Sequence, residues 1–210
     1  MTDLINREKQ KKEQEKRARR EEEERKERER LEKKRKEEEC LKLKQNLQHS
    51  VQNWETICGI IKYSYLFNYY PTTCDFDATE SEWDNRWLVW NFKNTPGKTS
   101  TSAHTDALNN VVPRLKKLLI NTFGLHNLKE LVLVCIPASS QQKTSLRYKE
   151  FSQMLCSETG MTSAYDKMTV TSERIAKHLG GTASSMNGVE FDNDFFKGKF
   201  VILFDDIVTK

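Results

Sequence analysis

The chain has 210 residues, a low mean hydropathy of −0.78 and a formal net charge of +4 at pH 7. Residues 1–44 hold 18 of the 35 lysines and arginines and 14 of the 31 aspartates and glutamates, which leaves 17 of each in the other 166 residues. The basic excess therefore belongs to the N-terminal segment, so it does not indicate that the remaining residues bind nucleic acid. We expect those remaining residues to form one globular domain. No apolar run is long enough for a signal peptide or a membrane helix, so we expect a cytoplasmic protein.

Residues 1–44 are predicted to be a charged single helix or a disordered spacer. Glutamates recur four residues before a base, as in Glu22 with Lys26, and neither Gly nor Pro interrupts the segment. Ala18 is the only apolar residue for some 24 positions, so a coiled-coil seam is absent. We predict an extended, exposed helix over residues 6–40, about 50 Å long. A protein partner for this helix, or weak contact with nucleic acid, stays open.

Residues 45–107 are interpreted as a docking region. Apolar residues recur there at helical spacing, which predicts an amphipathic helix that continues the N-terminal segment; these residues are Leu43, Leu47, Val51, Trp54, Cys58, Ile61 and Tyr65. An acidic stretch follows, and we interpret residues 66–86 as a solvated loop, because the spacing of an EF-hand is absent. The run WLVWNF predicts a strand over residues 87–92, and a polar loop is predicted through Ala103.

Residues 108–210 have the pattern of a three-layer α/β domain. The predicted elements are a helix over residues 108–122 that Gly124 ends, a buried strand over residues 131–136, a helix from Thr144 or Ser145 to Gly160, a helix over residues 172–179, a short strand over residues 188–191 and a buried strand over residues 199–204. We expect the two buried strands to be parallel neighbours, with the loops that follow Ile136 and Phe204 on one sheet edge.

The five cysteines are odd in number and widely spaced, and they include no C-x-x-C pair; they are Cys40, Cys58, Cys74, Cys135 and Cys156. This usage predicts reduced thiols and excludes a structural zinc site of the common type. Cys135 lies inside an apolar run, so we expect it in the core.

Three segments resemble type I phosphoribosyltransferases of the ComF-like (amidophosphoribosyltransferase-like) branch. GKFVILFDDIVTK, residues 198–210, resembles the substrate-binding signature, in which a strand delivers two acidic residues and then a Thr-x-Gly loop. CIPASSQQKTSLRYKEFSQ, residues 135–153, is similar to the pyrophosphate-loop segment, and KMTVTSE, residues 167–173, to the mobile loop over the substrate. The resemblance covers about residues 108–210 and implies a parallel-sheet, Rossmann-like domain.

The resemblance also implies a reaction, in which phosphoribosyl diphosphate donates its phosphoribosyl group to an acceptor and pyrophosphate leaves. The catalytic acidic pair, Asp205 and Asp206, would hold the ribose hydroxyls, and Thr209 and Lys210 would begin the loop that binds the 5′-phosphate. Mg²⁺ is expected to arrive with the diphosphate rather than on protein ligands. The acceptor would be recognised by a variable hood, for which residues 45–107 are the candidate.

Two loops complete the implied site. Its pyrophosphate loop consists of Ala138, Ser139, Ser140, Lys143 and Arg147. Its mobile loop contains Lys167, Thr169 and Thr171. The sequence stops at Lys210, one residue before the Gly of the signature, so we expect an incomplete domain, either a fragment or a natural truncation, with weak substrate binding.

Two other functions stay open from the sequence. FKNTPGKT, residues 92–99, together with VILFDD, residues 201–206, suits a P-loop nucleotidase, although Phe92 stands where that motif needs Gly. The third reading is a non-catalytic interaction protein, in which the helical segment is joined to an α/β module.

Overall fold

The computed structural model describes residues 2–73, 76–172 and 188–207. It is a mixed α/β structure with a long N-terminal helix and a small parallel sheet. The chain divides into two units, Met1–Gln48 and His49–Lys210. Among the helices of the described ranges, none combines the length and the apolar character that crossing a bilayer requires.

Helix α1, Thr2–Ser50, confirms the helical prediction for residues 6–40. Its glutamates pair with bases three or four residues away, as in Glu22 with Lys26 at 3.2 Å and Glu32 with Lys36 at 2.7 Å. These side chains are exposed, so each pair adds only a few tenths of a kcal/mol, about 0.3–0.5. The helix is therefore maintained by many small contributions along a surface that water reaches.

A short antiparallel hairpin follows α1 and contradicts the predicted continuous helix through Tyr65. Its strands are β1, Glu55–Ile57, and β2, Ile61–Tyr63. Cys58 and Gly59 have φ of 52° and 74°, so the connecting turn has the left-handed backbone that glycine tolerates. The apolar spacing of three and four residues thus arose from a helix end and a hairpin placed in succession.

Helix α2, Glu80–Phe92, replaces the predicted strand over residues 87–92, which was wrong, and the last seven residues of the predicted loop. The described residues from 66 to 79 contain no helix or strand, so the loop prediction is confirmed for that part. Thr79 starts the helix with a capping box, because its hydroxyl accepts from the Glu82 N–H while the Glu82 carboxylate accepts from the Thr79 N–H. Val89 and Phe92 are buried three residues apart on the inner face.

Helix α3, Thr101–Leu128, is longer than predicted. Ser100 caps it, since its hydroxyl accepts from the Ala103 N–H at 3.2 Å, so the polar loop ends before Ala103. Gly124 has a φ of 74° and a ψ of 148°, so the helical backbone is interrupted there as predicted, and a second helical stretch continues across a kink to Leu128.

The parallel sheet has the order β4-β3-β7 and contains the two predicted neighbours. Strand β3, Leu131–Cys135, pairs in parallel with β7, Phe200–Phe204, and with β4, Thr162–Ser163. The Ile136 N–H donates to the Phe204 carbonyl at 2.8 Å, so the chain leaves both strands at one edge. The prediction of adjacent parallel strands with loops on the same edge is confirmed.

Helix α4, Gln141–Thr159, begins three residues before the predicted start, because Ser140 caps it, and Gly160 ends it in a left-handed conformation as predicted. Its Phe151 ring lies 4.4 Å from the Phe204 ring, and its Tyr148 is fully buried. Cys135 is buried in this layer, as expected, and burial raises the pKa of its thiol.

The opposite face of the sheet is covered by smaller elements. A 3₁₀ turn, Tyr165–Lys167, leads into β5, Met168–Val170. Strand β5 pairs in antiparallel with β6, Val189–Phe191, and the short helix α5, Asn193–Phe196, follows β6. Strand β6 confirms the short strand expected at residues 188–191. The helix expected over residues 172–179 lies outside the described residues after position 172.

Strand β7 is not buried on both faces as predicted. Val201 and Leu203 are exposed, whereas the β3 residues beside them in the register, Val132 and Val134, are buried. Those two valines pack with Ala164, Met168 and α5 instead.

Candidate active site

The site is built where β3 and β7 end. Asp205 and Asp206 directly follow β7, and the segment from Ala138 to Lys143 leads from β3 into α4. The parallel pairing of the two strands brings both segments to the carboxyl edge of the sheet, where open α/β sheets bind ligands.

Asp206 forms a buried charge cluster with two bases. Its Oδ2 lies 3.1 Å from Arg147 Nη1 and 3.6 Å from Lys93 Nζ. The side chain of Asp206 is 8% exposed and that of Arg147 is 17% exposed. Two atoms of this cluster, Arg147 Nε and Asp206 Oδ2, are buried without a hydrogen bond to any described residue. The cluster therefore rests on charge attraction in a poorly hydrated place and contains one cation more than Asp206 can balance.

Asp205 has a different environment. Its Oδ1 accepts from the Asp206 N–H at 2.9 Å and from the Tyr148 hydroxyl at 3.4 Å. Burial, followed by the neighbouring Asp206, raises the pKa of Asp205 to about 7. Burial and the two carboxylates also raise the pKa of Tyr148, so its phenol stays protonated and can donate. The Asp205 carboxyl group therefore keeps its proton to a higher pH than an ordinary aspartate does.

The start of α4 forms the second half of the site. The Ser140 hydroxyl accepts from the Lys143 N–H at 3.3 Å, and Thr144 donates its hydroxyl to the Ser140 carbonyl at 2.9 Å. Lys143 Nζ donates to Ser139 Oγ at 3.3 Å. Lys143 is exposed at the positive end of the helix dipole, so this end of α4 attracts anions. Arg147 lies one turn further along the same helix.

The residues of the expected mobile loop lie in and directly after the 3₁₀ turn and β5. Lys167 Nζ pairs with Asp192 Oδ2 at 3.1 Å, Thr169 lies in β5, and the Thr171 N–H donates to the Gly188 carbonyl at 2.8 Å. The Val170 N–H donates to Gln141 Oε1 at 3.0 Å, which fastens β5 to the start of α4. The two phosphate-binding candidates, Thr209 and Lys210, lie outside the described residues.

Lys93 and Tyr148 contact the acidic pair, and the sequence did not point to them. Lys93 caps the C-terminal end of α2, and the next residue, Asn94, donates its amide to the Leu146 carbonyl of α4 at 3.1 Å. Tyr148 follows Arg147 on α4, and its helical position predicts only burial.

The segment of the P-loop alternative has the wrong setting for that motif. FKNTPGKT lies between α2 and α3, whereas a P-loop joins a strand to a helix. The strand expected before it was the prediction that α2 overturned.

No group of three or more His, Cys, Asp or Glu side chains is assembled for a metal ion in the part of the chain that the structure describes. Asp206 already faces two cations, and Asp205 is the neighbouring carboxyl group. Comparisons with protein-family models, curated proteins and solved structures find no match to this chain.

Proposed function

We propose that this chain is a phosphoribosyltransferase-like protein that binds phosphoribosyl diphosphate with Mg²⁺ and transfers the phosphoribosyl group to an acceptor, releasing pyrophosphate. The observation that carries the proposal is the meeting of two segments at one sheet edge. The acidic pair after β7 lies at the edge where β3 leads into the capped start of α4. The finer fold proposed is the Rossmann-like domain of that family, with β4-β3-β7 as part of its sheet.

The start of α4 suits the diphosphate. Ser139, Lys143 and the first backbone N–H groups of the helix offer donors and positive charge within one turn. Arg147 adds a second cation on the same helix, and Lys93 can keep Asp206 paired while Arg147 turns toward a phosphate. This excess of one cation gives the site a charge to offer an anionic ligand without leaving the buried carboxylate alone.

The acidic pair suits the ribose. Carboxylate oxygens accept hydrogen bonds from sugar hydroxyls, and they stabilise the positive charge that develops on the sugar as the diphosphate leaves. The donor set fits a metal that is held mainly by substrate oxygens, because Asp206 is already paired with Arg147 and Lys93 and Asp205 is a single further carboxylate. Bound in that way, Mg²⁺ would neutralise part of the diphosphate charge.

Calorimetric titration of the full chain with phosphoribosyl diphosphate and Mg²⁺ tests the proposal. Lys143→Ala should weaken binding about tenfold, because a cation beside the diphosphate is lost, and Ser139→Ala should weaken it less. Lys116→Ala is the matched control, since this lysine pairs with Glu158 on α3 and α4 away from the sheet edge.

The double change Asp205→Asn with Asp206→Asn should abolish the titration signal, and circular dichroism at the titration temperature must show that the variant is folded. Absence of binding by the unaltered chain, or binding that Lys143→Ala and Lys116→Ala leave equally intact, would contradict the proposal.

A further inference from the structure

Three tryptophans form an exposed aromatic surface on α2, outside the site at the sheet edge. Trp83, Trp87 and Trp90 follow one another at spacings of four and three residues, so they share one side of the helix. The ring centres of Trp87 and Trp90 are 5.1 Å apart, and those of Trp83 and Trp90 are 6.4 Å apart, both edge to face. Trp83 is 40% and Trp87 is 55% exposed. We name these three residues the tryptophan face.

A buried arginine fixes this face in place. Arg86 is 3% exposed, and its guanidinium lies 4.6 Å from the ring centre of Trp83. Its Nε donates to the Tyr70 carbonyl at 2.7 Å and its Nη2 to the Pro71 carbonyl at 3.3 Å. The face therefore already takes a cation on one indole ring, and its backbone support is tied to the preceding loop, which leaves it little conformational entropy to lose on binding.

The exposed charged residues that α2 places beside the tryptophan face are negative. Glu80 lies three residues before Trp83 and Asp84 three residues before Trp87, which places each carboxylate within one helical turn of an indole. Arg86 is the only basic residue of α2, and it is buried beneath the face. Carboxylates at the rim repel nucleic acid and anionic lipid, and they attract cations toward rings that themselves favour cations.

We propose that the tryptophan face binds a lysine- or arginine-rich segment of a partner protein. The basic side chains lie over the exposed indole rings, and their charged ends reach Glu80 and Asp84. The aliphatic parts of the same side chains cover the apolar ring surface, so one residue type satisfies both features of the face. This interaction is independent of the substrate proposed for the sheet edge.

The test uses the full chain and a synthetic decapeptide of alternating lysine and glycine, with a glutamate–glycine peptide of equal length as the charge control. Tryptophan fluorescence and calorimetry at low salt should show saturable binding of the lysine peptide alone. Trp87→Ala should weaken that binding at least about tenfold, because it removes the most exposed ring. Leu125→Ala, at another exposed apolar residue on α3, should leave it unchanged.

Asp84→Lys provides a second variant that keeps the aromatic packing and reverses one rim charge, and it should weaken binding at least about fivefold. Lysine-peptide binding that Trp87→Ala leaves intact would overturn the proposal, since the cation would then bind elsewhere, for example on α1. Binding of a neutral oligosaccharide or of phosphatidylcholine vesicles that Trp87→Ala removes, without binding of the lysine peptide, would also overturn it.

Discussion

The charges on α1 and the charges at the end of β7 pair at similar distances and have very different consequences. Lys26 lies 3.2 Å from Glu22 on α1, and Arg147 lies 3.1 Å from Asp206 at the sheet edge. The two side chains on α1 are 68% and 45% exposed, whereas those at the sheet edge are 17% and 8% exposed. Solvent access, and not the distance between the charged atoms, sets the energy that is lost when one partner is removed.

On α1, a lost partner leaves a charge that water solvates at once. At the sheet edge, a lost partner leaves a charge that water reaches poorly, in a cluster where Arg147 Nε has no hydrogen bond to a described residue. The many exposed ion pairs of α1 therefore contribute little to stability, whereas the few buried charges at the sheet edge contribute much.

The largest effect is expected for Asp206→Asn. Removing this carboxylate leaves Arg147 and Lys93 facing each other without a counter-charge, so the free energy of unfolding should fall by about 3 kcal/mol. Urea unfolding at pH 7, followed by the far-ultraviolet signal, measures it. In the double variant Asp206→Asn with Arg147→Met, much of this loss in the free energy of unfolding should be recovered, because one uncompensated cation is removed. If the effects of the two single changes simply add, the charge cluster is not the cause of the loss.

Asp205→Asn should change stability in the opposite direction. The pKa of Asp205 is raised from 3.8 to about 7 in the folded chain, so the folded state binds this proton more tightly than the unfolded state does. The resulting stability is present in full below pH 4 and is lost as the pH rises through 7. Asn can still accept from Tyr148 and from the Asp206 N–H, so this variant should be more stable than the unaltered chain by about 1 kcal/mol at pH 8.

Little difference between Asp205→Asn and the unaltered chain is expected at pH 4, where both carry a neutral side chain at this position when folded. Urea midpoints measured at both pH values decide the matter. If Asp205→Asn shifts the urea midpoint equally at both pH values, the ionisation of Asp205 is not the cause of the change in stability. A stabilised variant that also binds phosphoribosyl diphosphate poorly would indicate that this carboxylate is retained for its ligand at the expense of stability.

The smallest effect is expected for Glu22→Gln on α1. It removes the partner of Arg25 and Lys26, yet the free energy of unfolding of the globular unit should change by less than about 0.5 kcal/mol, because both pairs lie in water. A peptide of residues 8–44 should show helical circular dichroism that weakens with added salt. If Glu22→Gln lowered the free energy of unfolding as much as Asp206→Asn does, the proposed difference between exposed and buried charges would be wrong.

Continuous apolar runs allowed β3 and β7 to be predicted from the sequence, whereas β4, Thr162–Ser163, was not predicted. The run Leu131–Cys135 is buried on both faces, and such a run admits few alternatives to a central strand. The carboxyl-edge position of Asp205 and Asp206 followed from the same pattern, because the residue after a parallel strand has a known place.

Aromatic and β-branched residues misled the prediction elsewhere. WLVWNF has the composition of a strand, but Thr79 and Glu82 start a capped helix seven residues earlier, and that T-x-x-E signal is readable in the sequence. By contrast, nothing local indicates that Lys93 meets Asp206, because α2 and α4 bring them together across more than 100 positions of the chain. Contacts of that kind depend on tertiary packing, and so does the burial that gives Asp205 its raised pKa.

The half-covered strand at the edge of the sheet also bears on the solubility of the chain. FVILF is an uncharged, strongly β-forming run, Val201 and Leu203 are exposed, and β7 pairs on one side only among the described residues. Such a strand is a template for intermolecular pairing. Lys197 and Lys199 are exposed directly before it, so charged gatekeepers precede the segment. These two lysines thereby discourage aggregation along the strand that leads to the acidic pair.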